Sequence, residues 1–376
     1  MMKYARYDYM QPGVPTVKEH MLFGGGEIEL PVFDTPISAV ENLKRAARRD
    51  SPCWVPNGLT DLQAILPNEA ILPASETVAG QIVCADFKRR SDVNWTFTDW
   101  FNTNWTFVVQ VGGPMLTPGF RILDDVTEWD RVVKFPDLKK WDFDTYAADY
   151  MKNVYNPKKA MTMDLGLGCT ERFVSIMGGY TEAMIAFAEE PEACAAFFER
   201  FIDHEIEWFD EVLARYPLTM VTYHDDWGNE KDTFFSERML EEMILAPTKR
   251  LVDHIKSKGL IFELHSCGNI KRFIPYMIDM GVDFMQIQRR VVDFPAVKTQ
   301  YGDKIGFCSG IEGLDFGAAP PSKEALIDMI RHTVDVLGKG GGLYMSLFLN
   351  DSELNWAATS ELYAYSREFY DKERGL

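Results

Sequence analysis

Eight short apolar runs punctuate this chain and alternate with segments of helical period, and that rhythm narrows the folds open to it more than any other feature. The runs cover 52–56, 80–86, 160–166, 218–223, 260–265, 282–287, 304–310 and 341–348. Most break off at Gly, Asn or Ser, as strands do where the chain must turn. Between them, helical spacing predicts helices over 35–50, 61–66, 181–189, 191–216, 236–258, 322–337 and 354–373. Short strands that alternate with helices predict an α/β protein built as a (β/α)8 TIM barrel. Residues 1–50 then form an N-terminal arm and helix packed on the barrel, and 51–376 form the catalytic barrel. The stretch 94–113 reads as a hairpin excursion after the second strand. Gly24 to Gly26 lie in the irregular arm without a strand and helix to frame them. Gly340 to Gly342 precede a strand, which places them at the bottom face, so both glycine clusters read as turns.

Functional groups of such a barrel gather at the C-terminal ends of its strands. The fifth run ends in Glu263-Leu264-His265-Ser266-Cys267-Gly268. Period-2 alternation puts Glu263, His265 and Cys267 on one side of the strand, so an imidazole and a thiol arrive together. Random scatter of six His and six Cys over 376 positions yields a His-x-Cys only about 0.1 times. Cys308 sits near the end of the seventh run. Two thiolates and one imidazole suit zinc and leave a fourth coordination position open, which points to catalysis. Glu263 would face the interior and so needs a partner, as a support to the metal ligands or as a ligand itself. The plainer alternative makes His265 a core histidine and both thiols small buried hydrophobes.

The fourth run ends in Tyr223-His224-Asp225-Asp226-Trp227-Gly228 at the same face. Tyr223, His224, Asp225 and Asp226 are therefore candidates to hydrogen-bond a substrate or move a proton. The two carboxylates point to opposite sides of an extended chain, so one of them faces the mouth, while capping the turn before Trp227 is the other use for such a residue. In the excursion, Trp95, Phe97, Trp100, Phe101, Trp105 and Phe107 surround Asp99. Alternating bulky residues make a packed β surface or, with Trp95, Asp99, Trp100 and Trp227, a wall for a methoxylated ring.

Composition removes several classes of partner. A net charge of −18 repels phosphate backbones and anionic lipid, so neither nucleic acid nor membrane is expected as a partner. No stretch approaches the roughly 18 apolar residues of a membrane span, and the N-terminus lacks a basic segment followed by an apolar one, so a cytoplasmic location is expected. Cysteines at 53, 84, 169, 194, 267 and 308 are spread through a long chain, the pattern of reduced thiols.

Several stretches together resemble the uroporphyrinogen decarboxylase-like superfamily, and within it the zinc-dependent, corrinoid-linked methyltransferase branch. They are Pro118-Gly119 with 123–129 and 135–138, then 223–228, His265 to Asn269, Gly310-Ile311-Glu312-Gly313 and Gly340 to Gly342. The resemblance runs from about residue 52 to the C-terminus and implies a (β/α)8 barrel that uses zinc. Two departures carry weight. Decarboxylases of the superfamily hold porphyrin carboxylates with an Arg-rich signature after the first strand, where this chain reads Pro56-Asn57-Gly58-Leu59-Thr60-Asp61. Relatives that methylate coenzyme M take a third thiolate from a turn near the last strand, where this chain has Ser346-Leu347-Phe348-Leu349, so Cys308 stands in as the remaining thiol. An Asp-x-His-x-x-Gly corrinoid-binding motif is also missing, which implies that the corrinoid comes on a separate carrier protein. By resemblance, the chain is the component that moves a methyl group from a small methyl ether, an aryl one first of all, to Co(I). Methylation of a thiol, decarboxylation and a binding barrel are the alternatives, and a homodimer is among the assemblies to consider.

Overall fold

The computed structural model describes residues 3–21, 26–65, 93–110, 113–312, 320–349 and 351–376. Twelve strands form among the described residues: β1 (Thr16–Met21), β2 (Gly26–Pro31), β3 (Leu62–Ile65), β4 (Trp95–Thr98), β5 (Asn104–Val108), β6 (Gly113–Leu116), β7 (Ala160–Leu165), β8 (Leu218–His224), β9 (Ile261–Ser266), β10 (Phe284–Ile287), β11 (Gly306–Glu312) and β12 (Leu343–Phe348). The chain divides into two compact units. The first comprises Met1–Gln63, Asn156–Met161 and Asp283–Leu376, the second Ala64–Tyr155 and Thr162–Val282.

In the first unit, β10, β11 and β12 lie side by side and parallel, with helices Phe294–Tyr301 and Lys323–Leu337 between them in sequence. These are the strands expected over 282–287, 304–310 and 341–348. The expected strand over 52–56 is corrected: among the described residues the run itself pairs with no strand, and a single parallel bridge joins the next residue, Asn57, to Met345. Side chains take the place of a ladder. Asn42 accepts from Cys53 N (2.7 Å) and donates to Trp54 O (2.9 Å), and Ser366 Oγ accepts from Val55 N (3.0 Å). A buried backbone must have partners, and here polar side chains of two helices supply them. The helix expected over 61–66 is likewise corrected, because Leu62–Ile65 is the strand β3. The strand expected over 80–86 lies outside the described residues.

The arm expected to be irregular contains an antiparallel hairpin, β1 on β2, from Thr16↔Pro31 to Met21↔Gly26. Glu27-Ile28-Glu29-Leu30 alternates, and Ile28 and Leu30 turn inward to be buried. Helix Ala39–Arg48 follows, started by Ser38, whose side chain accepts from Glu41 N. The N-terminal residues are tied to helix Ser352–Glu373 through buried carboxylates: Arg6 and Arg331 meet Glu361 at 2.7 and 2.8 Å, and Lys3 and Arg374 meet Asp371 at 2.5 and 2.8 Å.

In the second unit, β8 and β9 are parallel with Thr222 opposite Glu263 and His224 opposite His265. Both are buried along nearly their whole length, as strands covered on two faces must be. The excursion is a three-stranded antiparallel sheet, β4–β5–β6. Its register places Trp95 opposite Phe107, Phe97 opposite Trp105 and Trp105 opposite Leu116, so the bulky side chains share one face. Helix Pro191–Leu213 starts with proline, where no N–H is missed, and buries Phe197, Phe198, Phe201, Trp208 and Phe209. The helix expected over 236–258 contains a π-turn at Leu240–Ile244 just before Pro247, which has no N–H to give to the preceding turn. No described helix is long and apolar enough to cross a membrane.

Candidate metal centre

The β8–β9 ladder sets Thr222 and His224 of one strand beside Glu263 and His265 of the other, and past its end the chains stay linked. Asp225 N donates to His265 O at 3.1 Å, and Cys267 N donates to Asp226 Oδ1 at 2.6 Å. The outcome is a cluster of three unlike donors: Asp226, His265 and Cys267 each present a ligand atom within 4.8 Å of the other two. His265 Nε2 lies 3.7 Å from Asp226 Oδ1 and 3.7 Å from Cys267 Sγ. Zinc bond lengths and tetrahedral angles separate ligand atoms by about 3.4–3.6 Å, so this oxygen, nitrogen and sulfur set suits zinc in both spacing and softness. All three residues are partly exposed, which leaves room for a further ligand.

Gly268 keeps the cluster tight. Its φ is +87°, and a Cβ there would come within 2.3 Å of the Gly228 carbonyl carbon. The loops after β8 and β9 can therefore touch, with Asn269 N on Asn229 O (2.7 Å) and Trp227 N on Ser266 Oγ (2.9 Å).

His224 lies over His265 at a ring-centroid distance of 4.6 Å, with Nε2 3.8 Å from Asp164 Oδ1. Burial works to lower its pKa, but the hydrogen bond and charge of Asp164, with the charges of Glu263 and Asp226, outweigh it, and the net shift is upward. Glu263 is fully buried and accepts from Thr222 Oγ1 at 3.0 Å. Asp225 points away from Asp226. Its Oδ1 accepts from Thr170 N (3.0 Å), Thr170 Oγ1 (2.5 Å) and Glu171 N (3.0 Å) at the start of helix Cys169–Met177, and its Oδ2 accepts from Trp227 Nε1 (2.8 Å). Burial pushes its carboxyl up to about 6 against the pull of those hydrogen bonds.

Tyr223 is buried, accepts from Cys169 N at 2.7 Å, and is pushed up by that burial. Trp227 is buried and spends its indole N–H on Asp225. Cys308 belongs to the first unit, buried beside Gln286 Nε2 (3.6 Å) and Ser346 Oγ (4.0 Å). In the excursion, Trp95 stacks on Phe107 at 5.7 Å, Trp100 is wedged at 4.8 Å from both Trp141 and Trp208, and Asp99 is buried in an ion pair with Arg172.

Three residues that act on the cluster carry no functional signature in the sequence: Asp164, Glu171 and Tyr180. Glu171 is pushed well up, by burial first and then by Asp226 and Asp225. Tyr180 is also pushed up, by burial and then by Glu171, Asp226, Asp225 and Cys267. The signal for Asp164 was its place at the end of the third apolar run, Asp164-Leu165-Gly166-Leu167-Gly168, and Glu171 follows in the first turn of the next helix.

The family model for uroporphyrinogen decarboxylase (URO-D) matches residues 109–308. Among solved structures, the chain is similar to a methyltransferase from Methanosarcina mazei at 12% identity, over 89% of this chain and 99% of that one, with a TM-score of 0.57. It is also similar to an archaeal fructose 1,6-bisphosphate aldolase at 12% identity, over 57% and 75% of the two chains, with a TM-score of 0.29. No curated protein matches the chain. At these identities the structural likeness concerns the fold, which is mixed α/β with parallel strands in a TIM-barrel-like pattern.

Proposed function

The chain belongs to the uroporphyrinogen decarboxylase family, and from that premise we propose that it is a zinc-dependent methyltransferase. It moves a methyl group from a small methyl ether to Co(I) of a corrinoid on a separate carrier protein. The observation that carries this reading is the Asp226, His265 and Cys267 cluster. The likeness to the Methanosarcina mazei methyltransferase supports it. Decarboxylation of a polyanionic porphyrin would call for basic groups, yet among the described residues the charged side chains beside the cluster are Asp164, Glu171, Asp225, Glu263 and His224, and the nearby Arg172 is paired with Asp99.

Asp226 Oδ1, His265 Nε2 and Cys267 Sγ would hold the ion. When bound, zinc supplies a Lewis acid for charge developing on the departing oxygen, which an ether lacks at neutral pH. The C–O bond breaks with its electron pair on oxygen, and the Co(I) pair forms the new bond to carbon. In this reading His224, whose Nε2 lies 3.8 Å from Asp164 Oδ1, would give the departing oxygen a proton. Thr222 holds Glu263 on the strand that carries His265, and Asp225 with Trp227 fixes the backbone that carries Asp226.

Metal analysis of the purified protein tests the reading. It should find about one zinc per chain, lost in His265→Ala and Cys267→Ser. Cys308→Ser separates the two ligand sets: zinc lost with Cys308 restores the set read from sequence, and zinc retained favours Asp226. A protein without zinc, or His265→Ala that keeps it, overturns the proposal. Methylation of a reduced corrinoid by methyl ethers, followed by absorbance, then tests the transfer, and carbon dioxide release from uroporphyrinogen at enzymatic rates would move the chain to the decarboxylases.

A further inference from the structure

A second place in the molecule brings unlike charges and aromatic rings together, and it lies wholly within the first unit. A cavity of about 340 Å³ opens between the N-terminal segment, the stretch after β2 and helix Ser352–Glu373, with Tyr4, Tyr7, Phe33, Asp34, Tyr363 and Arg367 on its walls. That volume holds a small organic molecule. Stacked rings form much of the wall: Tyr7 on Phe33 at 5.4 Å between centroids, and Phe33 on Tyr363 at 4.2 Å.

The Arg367 guanidinium lies 4.5 Å from the centre of the Tyr4 ring and 5.8 Å from that of Tyr363. Its terminal nitrogens donate to the two phenol oxygens, Nη2 to Tyr4 at 2.9 Å and Nη1 to Tyr363 at 3.2 Å. Each of these nitrogens carries a second N–H, and phenols, unlike carboxylates, do not cancel the charge. The carboxylates nearest in sequence are engaged: Glu361 with Arg6 and Arg331, Glu368 with Arg6, and Asp371 with Lys3 and Arg374. Asp34 is exposed on the same cavity, and its carbonyl accepts from the Tyr363 hydroxyl at 2.7 Å. One phenol oxygen therefore joins the Arg367 guanidinium to the Asp34 backbone. Among the described residues, neither Arg367 nor Asp34 is in an ion pair.

A ligand that answers both charges carries an anion and a cation a few bonds apart, with an apolar group for the rings. A simple acid would meet Asp34 as a like charge, and a simple amine would meet Arg367 in the same way. We propose that this cavity binds a free α-amino acid with an apolar side chain, its carboxylate on Arg367, its ammonium towards Asp34 and its side chain against the aromatic wall. The guanidinium fork suits a carboxylate, and the rings favour both the side chain and the ammonium. The site shares no residue with the metal cluster and does not depend on the methyl-transfer reading.

Calorimetry on the full chain compares L-phenylalanine with two analogues that each lack one charge, 3-phenylpropionate and phenethylamine, and with L-alanine, which lacks the ring. Phenylalanine should bind with a Kd of about 1 mM or below. The single-charge analogues should bind at least about threefold more weakly, and alanine about tenfold more weakly. Asp34→Asn should erase the advantage of phenylalanine over 3-phenylpropionate, and Arg367→Gln its advantage over phenethylamine. The Asp34 side chain is exposed and makes no ion pair, so that variant should fold like the parent by circular dichroism, and it decides alone if Arg367→Gln does not fold. No binding of phenylalanine up to about 10 mM would overturn the inference. So would equal or tighter binding of either single-charge analogue, or preferences that survive in the folded variants.

Discussion

Removing the Asp99 carboxylate should cost the protein stability and leave its ligand affinity alone. Asp99 and Arg172 are 3% and 1% exposed. Asp99 Oδ1 accepts from Phe101 N and Thr103 N, each at 2.9 Å, and Oδ2 accepts from Trp105 Nε1 at 2.9 Å and from the Arg172 guanidinium. Four donors fill the capacity of a carboxylate, so none of it is left for a substrate. In Asp99→Ala the guanidinium stays buried without its partner, and breaking such a pair costs about 3–5 kcal/mol. A unit of this size loses about 2–4 °C in Tm per kcal/mol, so the melting point should fall by roughly 6–20 °C. Circular dichroism melts of the single variants and of Asp99→Ala/Arg172→Met measure this directly. The double variant removes both charges and should lose clearly less than the sum of the single losses. An Asp99→Ala protein that melts within about 2 °C of the parent, or strictly additive losses, would refute the reasoning.

Two further outcomes follow from the second unit. Burial first, then Arg200 and Arg172, hold the His204 pKa down at about 3, against about 6.5 unfolded, so the unfolded chain binds a proton that the folded one does not, and stability falls as pH drops from about 6.5 towards 3. That share is about 2 kcal/mol at pH 5, so His204→Phe should lose several degrees less in Tm between pH 7 and pH 5, and identical pH profiles would count against it. Gly268→Ala places a Cβ within 2.3 Å of Gly228 at a φ of +87°, which should part the two loops and lower zinc content, and full zinc occupancy in that variant would show that loop contact is not what holds the ligands together.

Much of the fold was legible because its strands are apolar runs with abrupt ends. Leu218–His224 and Ile261–Ser266 bury almost every residue, so hydrophobicity alone marks them. Each failure has its own cause. At 52–56 the sequence is as apolar as a strand, but Asn42 and Ser366 satisfy the backbone from helices, a long-range substitution that leaves no mark on the run itself. At Leu62–Ile65 a four-residue strand is too short to show a period. In Gly26–Pro31 the alternation is real but lies behind three glycines, which drew the reading towards an irregular arm.

The site was legible on β9 and ambiguous on β8, and the difference comes from an uncapped helix. Alternation places His265 and Cys267 together because the strand runs almost up to Cys267, and their donor atoms do lie 3.7 Å apart. For Asp225 and Asp226 alternation offers two sides and no choice between them. The choice is made across the unit, at helix Cys169–Met177, whose N-cap is Gly168 and has no side chain to accept from the first turn. Asp225 supplies that acceptor, and Gly168 permits the approach, since a Cβ there would lie 2.4 Å from the Asp225 Cβ. With Asp225 bound to the helix, Asp226 is turned towards His265 and Cys267. A carboxylate pair at a strand end is therefore resolved by asking which neighbouring helix lacks a cap of its own. Asp225→Asn should leave the Asp226 ligand in place while weakening the start of that helix, whereas Asp226→Asn should release the metal. Zinc lost to the same extent in both variants would mean that the two carboxylates share the ion and that the division of labour drawn from Gly168 is wrong.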